Sequence, residues 1–375
     1  MSTFSAHPRL RWAVPAAVVA LLAGAGPIVT SITATARGSL TPRTAAQLLV
    51  DVQHAKVAGL SGTVVQTADL GLPSLPSVGG HGGDSASFSS LVSGSHTLRL
   101  WYAGPEHVRL ALLGQLGESD LVRNGADAWA WSSTDNTATH YSVPSNASAS
   151  PAQTPTPDSA LTPQRAAEAA LKAIDPTTRV TTDPTATVAG RPAYQLQLTP
   201  RDPRSLVGAV RIAIDGATHV PTRVQVFARG ATSPAFEIGF TSFSPSTPPS
   251  SVFSFTPPPG ATVKQATAPS HGPADLREPK APAASSPPRV VGSGWTSVVV
   301  APVGSLTSGK AASEKSGSAP SGLTSMLKSL PSVSGPWGSG HLLRGTVFSA
   351  VLTDDGQLAI GAVAPELLYP ALARR

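Results

Sequence analysis

Two short patterns in the sequence have the residue types and spacing to do chemistry, and each lacks a necessary part. Residues 304–310 follow a predicted strand and match a phosphate-binding loop, G-x-x-x-x-G-K. Ala311 stands where such a loop needs a Ser or Thr to hold the metal. Residues 325–328 match the S-x-x-K motif of penicillin-recognising enzymes, but the accompanying S-D-N and K-T-G motifs are absent from the sequence. We therefore predict that the protein is not an enzyme, with no catalytic residue and no nucleotide ligand.

Metal, cofactor and nucleic-acid sites are also not indicated. The chain has no Cys, and its 9 His occur singly, without the spacing of metal ligands. We predict no metal site and no cofactor. The formal net charge is +6, yet the basic residues are scattered and the only adjacent pair is Arg374-Arg375. Nucleic-acid binding needs basic residues concentrated on one surface, so we predict no nucleic-acid partner.

The first 36 residues have the features of an export segment. Arg9 and Arg11 precede an uncharged apolar run at 12–29, and small residues follow at 34–36. A basic start, an apolar centre and a small-residue cleavage site define a signal peptide, and the run is also long enough to remain as a transmembrane helix. We predict that the rest of the chain is extracytoplasmic, either secreted or anchored to the cytoplasmic membrane by this segment.

Two stretches have helical spacing. In the first, Thr41 is a suitable N-cap and Pro42 suits the first helical position. Apolar residues then recur at helical spacing on one face: Ala45, Leu48, Leu49 and Val52. The second predicted helix, 162–175, begins with the same Leu-Thr-Pro sequence and ends at Asp175-Pro176.

Between and after these helices, apolar and polar residues alternate as they do in strands. The predicted strands are 61–68, 95–102, 106–113, 127–133, 193–198, 208–214, 222–228 and 235–243. Asp215-Gly216 marks a hairpin turn between two of them. Short strands joined by such turns predict an α+β fold with an antiparallel sheet rather than a parallel one.

Stretches rich in Gly, Ser, Pro and Ala interrupt this pattern. We predict flexible insertions at 70–94 and 144–159, a Pro/Ala-rich linker at 264–288, and a Gly/Ser-rich insertion at 304–340. The C-terminal part, 290–373, is predicted to form three further strands, with a turn at Asp355-Gly356, and a short closing helix.

Several motifs, in this order, resemble the lipoprotein carrier superfamily that contains LolA and the sigma-factor regulators RseB/MucB. The first helix with residues 59–67, the hairpin at 121–131 and the strand at 188–201 are similar to segments of that group. The last motif is a strand, an Asp-containing turn, a second strand and an F-x-F-x-P-P-x-G-x-x-V phrase. Its positions here are Asp215, Pro221, Phe253, Phe255, Pro257, Pro258, Gly260 and Val263. We interpret the proline phrase as the end of a final edge strand, since proline cannot donate to a ladder.

The resemblance spans 40–263 and implies a curved antiparallel sheet that forms an incomplete β-barrel, with helices covering its concave face. It also implies an apolar cavity for acyl chains, in which each buried methylene contributes about 0.8 kcal/mol. The predicted apolar ligand-binding residues are Leu98, Leu100, Tyr102, Leu110, Trp129, Trp131, Ile212, Val226 and Ile238. The excess of Arg over Lys and the richness in Ala, Gly and Pro suggest a GC-rich actinobacterium.

Three functions are left open by the sequence. The first is a non-enzymatic carrier whose partners are lipid or lipoprotein acyl chains. The second is a sensor of the RseB/MucB type, in which a second, smaller domain binds an anti-sigma-like membrane protein. The third is a cell-envelope scaffold without a ligand. The first two differ in whether the C-terminal strands form a separate unit or join the main sheet.

Overall fold

The computed structural model describes residues 40–72, 88–142, 171, 176–267, 288–302 and 330–373. The predicted leader, most of the second predicted helix, the 144–159 insertion and both enzyme-like patterns lie outside these residues. No helix within the described ranges is both long and apolar enough to cross a membrane.

Helix α1 (Ala45–His54) begins one turn later than the sequence suggested. Thr44 is its N-cap: the Gln47 backbone N–H donates to Thr44 Oγ1 at 3.2 Å, and the Thr44 N–H donates to Gln47 Oε1 at 2.8 Å. The prediction of Thr41 as N-cap was wrong because Thr41 has no Gln or Glu three residues later to complete this capping box. Thr41 instead accepts a hydrogen bond through its carbonyl from the Tyr194 hydroxyl.

Twelve strands form one large sheet in the order β12-β6-β5-β4-β3-β2-β1-β11-β10-β9-β8-β7. Their bounds are β1 (Leu60–Ala68), β2 (Gly94–Tyr102), β3 (His107–Leu113), β4 (Glu118–Asn124), β5 (Asp127–Ser132), β6 (Thr137–Ser142), β7 (Thr178–Val188), β8 (Arg191–Pro200), β9 (Val207–Asp215), β10 (Pro221–Ala228), β11 (Pro234–Ser244) and β12 (Thr262–Thr267). Every pair is antiparallel except β6 with β12. In the described chain the end strands β7 and β12 do not pair with each other, so the sheet stays open.

The sheet also bends sharply at one end. β7 contacts β11 although three strands separate them in the sheet order. In a flat sheet they would lie about 19 Å apart, at roughly 4.8 Å per strand. The predicted large, curved and unclosed antiparallel sheet is therefore confirmed.

The eight strands predicted for this region are all present, but β4, β6, β12 and β7 were not among the predicted strands. β7 is the longest of these four. Pro184 lies inside it and disguises the strand, because proline cannot donate to a ladder. β7 tolerates Pro184 because it is an edge strand and because its pairing with β8 is interrupted by a bulge between Asp183 and Ala186.

The proline phrase does not end an edge strand, which corrects the interpretation made from the sequence. Residues 250–258, here called the strap, form a short 3-10 turn and then an extended segment outside the sheet ladder. Phe253 in the strap is buried to 1% exposure. After a turn at Gly260, the chain re-enters the sheet as β12, so the linker predicted from residue 264 begins only after Thr267.

The C-terminal residues form a separate six-stranded antiparallel sheet in the order β13-β14-β18-β17-β16-β15. Its strands are β13 (Arg289–Val291), β14 (Val298–Pro302), β15 (Ser332–Gly335), β16 (Gly338–Arg344), β17 (Ser349–Thr353) and β18 (Gln357–Gly361), and helix α2 (Tyr369–Ala373) packs on them. The predicted turn at Asp355-Gly356 is present. The predicted number of strands, three, was too small. The sequence of β15 and of the start of β16 is rich in Gly and Ser and has no alternation of apolar and polar residues.

Among the described residues, three groups of contacts join the two sheets. The Trp295 indole N–H donates to Thr178 Oγ1 at 2.8 Å, and its ring packs against the core beneath α1. The Leu206 N–H donates to the Ala362 carbonyl at 2.8 Å. The Thr346 N–H donates to the Leu70 carbonyl at 2.8 Å, so the start of the predicted 70–94 insertion lies against the second sheet.

Candidate functional site

The strand register assigns each side chain to one of two faces of the large sheet. Side chains alternate along a strand, and directly paired residues share a face. Helix α1 packs through Leu48 against the face that carries Ile212. Ile212 pairs with Val224, Val224 with Ile238, and Ile238 with Gln66, so these residues of β9, β10, β11 and β1 all lie on the same face. We call this face the helix side and the opposite one the strap side.

The nine predicted ligand-binding residues divide between the two faces. Seven of them lie on the helix side: Leu98, Leu100, Tyr102, Leu110, Ile212, Val226 and Ile238. Trp129 and Trp131 share a face with each other, as the alternation predicted, but they lie on the strap side. Trp129 pairs with Val122, whereas Leu121, beside it on β4, pairs with Ala130 on the helix side.

An apolar row runs across the helix side of five neighbouring strands. Its members pair in turn: Gly62 with Leu100, Leu100 with Leu110, Leu110 with Leu121, and Leu121 with Ala130. We call this the leucine row; at about 4.8 Å per strand it spans roughly 19 Å. The pairing of leucines on three successive strands could not be read from any single strand's sequence.

Exposure of the leucine row rises along its length. Helix α1 packs on β8 and β9, in the other half of the sheet. Leu100 and Leu110 are half-buried, and Leu121 is 44% exposed. Leu98 and Leu112, one row away, are almost fully buried. The helix side therefore changes from closed core to accessible apolar surface toward β4 and β5.

The strap covers the opposite face. The Phe255 ring lies 5.4 Å from Trp129 and 6.3 Å from Trp131, measured between ring centroids. Phe253 meets the His107 ring edge-on at 5.7 Å. The predicted aromatic pair thus packs against the proline phrase of its own chain, and both belong to a second small core on the strap side.

A charged cluster lies under the strap. Asp120 is 2% exposed and accepts a hydrogen bond from an Arg109 guanidinium nitrogen, while Arg109 also donates to the Val252 carbonyl. Glu118 lies on the same face, two residues from Asp120. Burial, followed by its hydrogen bond with Asp120 and repulsion from that carboxylate, raises the pKa of Glu118. The cluster ties the strap to the sheet.

His140 connects β12 to the rest of this face. Its Nδ1 lies 2.9 Å from Gln265 Oε1 on β12, and its Nε2 lies 2.7 Å from Asp127 Oδ1. Hydrogen bonds to Gln265 and then to Asp127 raise the pKa of His140 above its ordinary value of 6.5. Because both partners present acceptors, the doubly protonated ring satisfies them best. The contribution of this clamp to stability is therefore full below pH 6.5 and is lost as the pH rises through the higher folded pKa.

Gln66 is a polar residue on the helix side that the sequence analysis did not single out. It is 3% exposed and lies in register with His96 and Ile238. Within the described ranges, neither Oε1 nor Nε2 of its side chain has a hydrogen-bond partner. The sequence does indicate that Gln66 is buried. Alternate residues of a strand share a face, and its neighbours on that face, Val64 and Ala68, are apolar.

Comparisons of sequence identify no relative: no family model matches the chain, and neither does any curated protein. Solved structures do match. The complex of MucA and MucB from Pseudomonas aeruginosa is 14% identical, with 88% of this chain and 96% of that chain covered and a TM-score of 0.40. A LolA superfamily protein from Nitrosomonas europaea is 12% identical, with 57% of this chain and 99% of that chain covered and a TM-score of 0.21.

An uncharacterised conserved protein from Thermus thermophilus is also similar, at 11% identity, with 59% of this chain and 98% of that chain covered and a TM-score of 0.33. The matches thus include both groups, LolA and MucB, that the sequence motifs resemble. Since every identity is below 25% and every TM-score is below 0.5, these likenesses say nothing about ligand or partner. What the sites do must be argued from the residues of this chain.

Proposed function

We propose that the protein is a non-enzymatic, extracytoplasmic carrier that binds acyl chains of a lipid or lipoprotein along the leucine row. The observation that carries the proposal is the exposed end of that row: Leu121 is 44% exposed on a face whose other half is closed by α1. An acyl chain laid across the strands would meet Leu100, Leu110 and Leu121 in succession. Each methylene removed from water there contributes about 0.8 kcal/mol.

The row suits an extended apolar ligand better than a compact one. It is continuous over five strands, and the end members, Gly62 and Ala130, have little or no side chain. The row is closed at Gly62, where a Cβ would lie 2.7 Å from the Phe240 ring, so a ligand would lie along Leu100, Leu110, Leu121 and Ala130. A narrow apolar strip flanked by small residues offers contact along a chain and few groups that could recognise a polar ring. The two strap-side tryptophans are not part of this proposal.

The test is native mass spectrometry of the full chain from a lipid-containing expression host, with solvent extraction of bound material. We expect a co-purifying acyl lipid in the wild type and loss of that lipid in Leu121→Asp. Because Leu121 is partly exposed, we expect this change to leave the fold intact. Leu116→Asp is the matched control, since Leu116 is 100% exposed in the β3–β4 turn and outside the row. A wild-type protein that stays empty when offered lipid would refute the carrier.

A second candidate is a sensor that binds a membrane protein, and the separate C-terminal sheet favours it. The six strands do not extend the large sheet, and β13 is an edge strand in which Val290 is 49% exposed. Edge strands bind extended peptide segments by strand addition. Proteolysis in the Pro/Ala-rich linker, followed by size-exclusion chromatography, separates the candidates. Two halves that part favour the sensor, and halves that stay together through Trp295 and Leu206 favour the carrier.

A further inference from the structure

The cross-strand line of the leucine row continues beyond Ala130 to the edge of the sheet. Ala130 pairs with Thr139 on β6, and Thr139 pairs with Lys264 on β12, the edge strand. Along this line the side chains change from leucine to alanine, then to a hydroxyl group, and finally to an ammonium group. From Leu100 to Lys264 the line crosses five strand spacings, which is roughly 24 Å at about 4.8 Å per strand. It therefore has an apolar end and a cationic end.

A hydrogen bond between β6 and β12 confirms the face on which Lys264 lies. Gln265, the next residue of β12, has its Oε1 2.9 Å from His140 Nδ1. The His140 ring in turn lies 4.4 Å from that of Trp129, between centroids, on the strap side. Because neighbouring residues of a strand project to opposite faces, Lys264 lies on the helix side, with the leucines. Lys264 is exposed, so its ammonium group is open to a ligand from solvent.

The fixed charge on this part of the helix side is positive. Arg123 lies on the same face of β4 as Leu121, two residues further along the strand, and is half-buried. Strands β3 to β6 and β12 carry three carboxylates, and all of them lie on the strap side: Glu118, Asp120 and Asp127. An anionic group at this end of the helix side would therefore meet two cations and no carboxylate of these strands.

The exposure of the row gives a bound amphiphile one favoured direction. Leu100 and Leu110 are half-buried, Leu121 is 44% exposed, and Lys264 is exposed. An apolar tail is stabilised where it is removed from water, whereas a charged headgroup is destabilised if it loses water without gaining a partner. The tail therefore fits the leucine end, and the headgroup fits the edge strand.

We infer that the acyl ligand carries an anionic headgroup and that Lys264 binds this headgroup at the edge of the sheet. A phosphate or a carboxylate presents the charged acceptor oxygens to which a lysine ammonium group donates. Arg123 adds positive potential beside the path of the tail. A neutral headgroup gains no ion pair at Lys264, so the carrier should prefer acidic lipids to neutral ones. This inference rests on the proposed function and names the ligand class that the function would take.

The test compares decyl phosphate with decanol, which share one alkyl chain, by calorimetric titration of the full chain below micelle-forming concentrations. We expect the wild type to bind decyl phosphate about fivefold more tightly in low salt, the upper end for one solvent-exposed ion pair. At about 1 M salt the preference should largely disappear, because charges are then screened within about 3 Å. Lys264→Gln should bring the ratio close to one, and Lys264→Glu should invert it, so that decanol binds more tightly.

The matched control is Lys56→Glu, which changes the net charge by the same amount. Lys56 is exposed between α1 and β1, outside the row, so its replacement should leave the ratio unchanged. A wild-type ratio near one, or equal ratios in Lys264→Glu and Lys56→Glu, overturns the inference while the carrier stands, because decanol still binds.

Titration with inorganic phosphate distinguishes a headgroup site from a site for a free anion. We expect inorganic phosphate to bind far more weakly than decyl phosphate, since it makes no contact with the leucines. Inorganic phosphate that binds as tightly as decyl phosphate would overturn the headgroup assignment. If neither decyl phosphate nor decanol binds the wild type, the carrier fails as well.

Discussion

At the scale of single residues, Asp215 shows how a turn signal in the sequence becomes a structural anchor. It accepts from Arg191 Nε at 2.6 Å and Arg191 Nη2 at 3.0 Å, and from the Thr218 backbone and hydroxyl at 2.8 and 2.9 Å. Burial by itself would raise the pKa of Asp215. The hydrogen bonds from Arg191 and Thr218 outweigh burial and hold the pKa below the ordinary 3.8. The β9–β10 turn is thus fixed by an ionised carboxylate.

Replacing this carboxylate should destabilise the protein in a pH-dependent way. We expect Asp215→Asn to lower the free energy of unfolding at pH 7 by about 2 kcal/mol, less than a fully buried pair would lose, because Arg191 remains 31% exposed. The native state binds fewer protons at Asp215 than the unfolded chain does. Its stabilisation is therefore present above pH 3.8 and is lost as the pH falls through the lower folded pKa.

Urea unfolding between pH 3 and pH 7 measures the effect. Asp202→Asn is the control, because the Asp202–Arg204 pair has similar bonds at the surface, with 30% and 63% side-chain exposure, and should change stability by less than about 1 kcal/mol. An Asp215→Asn protein as stable as Asp202→Asn at pH 7 would contradict this account.

At the scale of elements, the strap lies over β3, β4 and β5 but does not pair with them as a strand. Its two phenylalanines are spaced as in a strand, yet only Phe253 is fully buried, and the backbone between them and Gly260 stays outside the ladder. Three successive prolines explain this, since a segment without N–H groups cannot join a ladder. The strap therefore depends on side-chain contacts for its position.

Removing one of these contacts should loosen the strap. We expect Phe255→Ala to shift the tryptophan emission to longer wavelength, as Trp129 and Trp131 gain water, and to cost about 2 kcal/mol, below the roughly 3–5 kcal/mol typical of a core phenylalanine. Phe253→Ala is the comparison: it should cost more, with a smaller emission shift, since its ring contact is to His107. Unchanged emission in Phe255→Ala would show that the strap does not shield the tryptophans.

The sequence predicted strands where apolar and polar residues alternate and missed them elsewhere. β2 and β9 alternate clearly and were found, whereas β7 contains Pro184, and β15 is made of Ser, Val and Gly. Alternation also predicted that Trp129 and Trp131 share a face. It could not show that this face is opposite to that of Leu110, because the pairing of β4 with β5 decides it. Faces of different strands are related by register, which is a property of the folded sheet.

At the scale of the whole molecule, the two sheets are held together by a few contacts of different kinds. Trp295 reaches from the second sheet into the core beneath α1, and a single backbone hydrogen bond joins Leu206 to Ala362. Each sheet has its own buried core. The tryptophan is the largest apolar group in these contacts, so cooperativity between the sheets should depend on it.

We expect the wild type to unfold in one calorimetric transition and Trp295→Ala to unfold in two. The change removes the hydrogen bond to Thr178 and the packing under α1 while leaving both sheets complete. Trp337→Ala is the matched control: Trp337 is also half-buried but stacks at 5.6 Å on Tyr369 within the second sheet. Trp337→Ala should lower the stability of the protein, but its unfolding should remain a single calorimetric transition. A single transition in Trp295→Ala would mean that other contacts couple the sheets.

The pairing of β1 with β11 has a consequence for how fast the chain can reach this structure. These neighbours sit in the middle of the large sheet, and a hydrogen bond between Thr63 and Ser242 joins residues 179 positions apart. Bringing together residues so far apart in sequence costs conformational entropy before stabilising contacts form. We therefore expect folding in the slow range, about milliseconds to seconds or longer. Until residue 244 has been synthesised, β1 keeps one edge unpaired. A growing chain therefore carries an open, aggregation-prone strand from the completion of β1 at Ala68 until β11 is complete at Ser244.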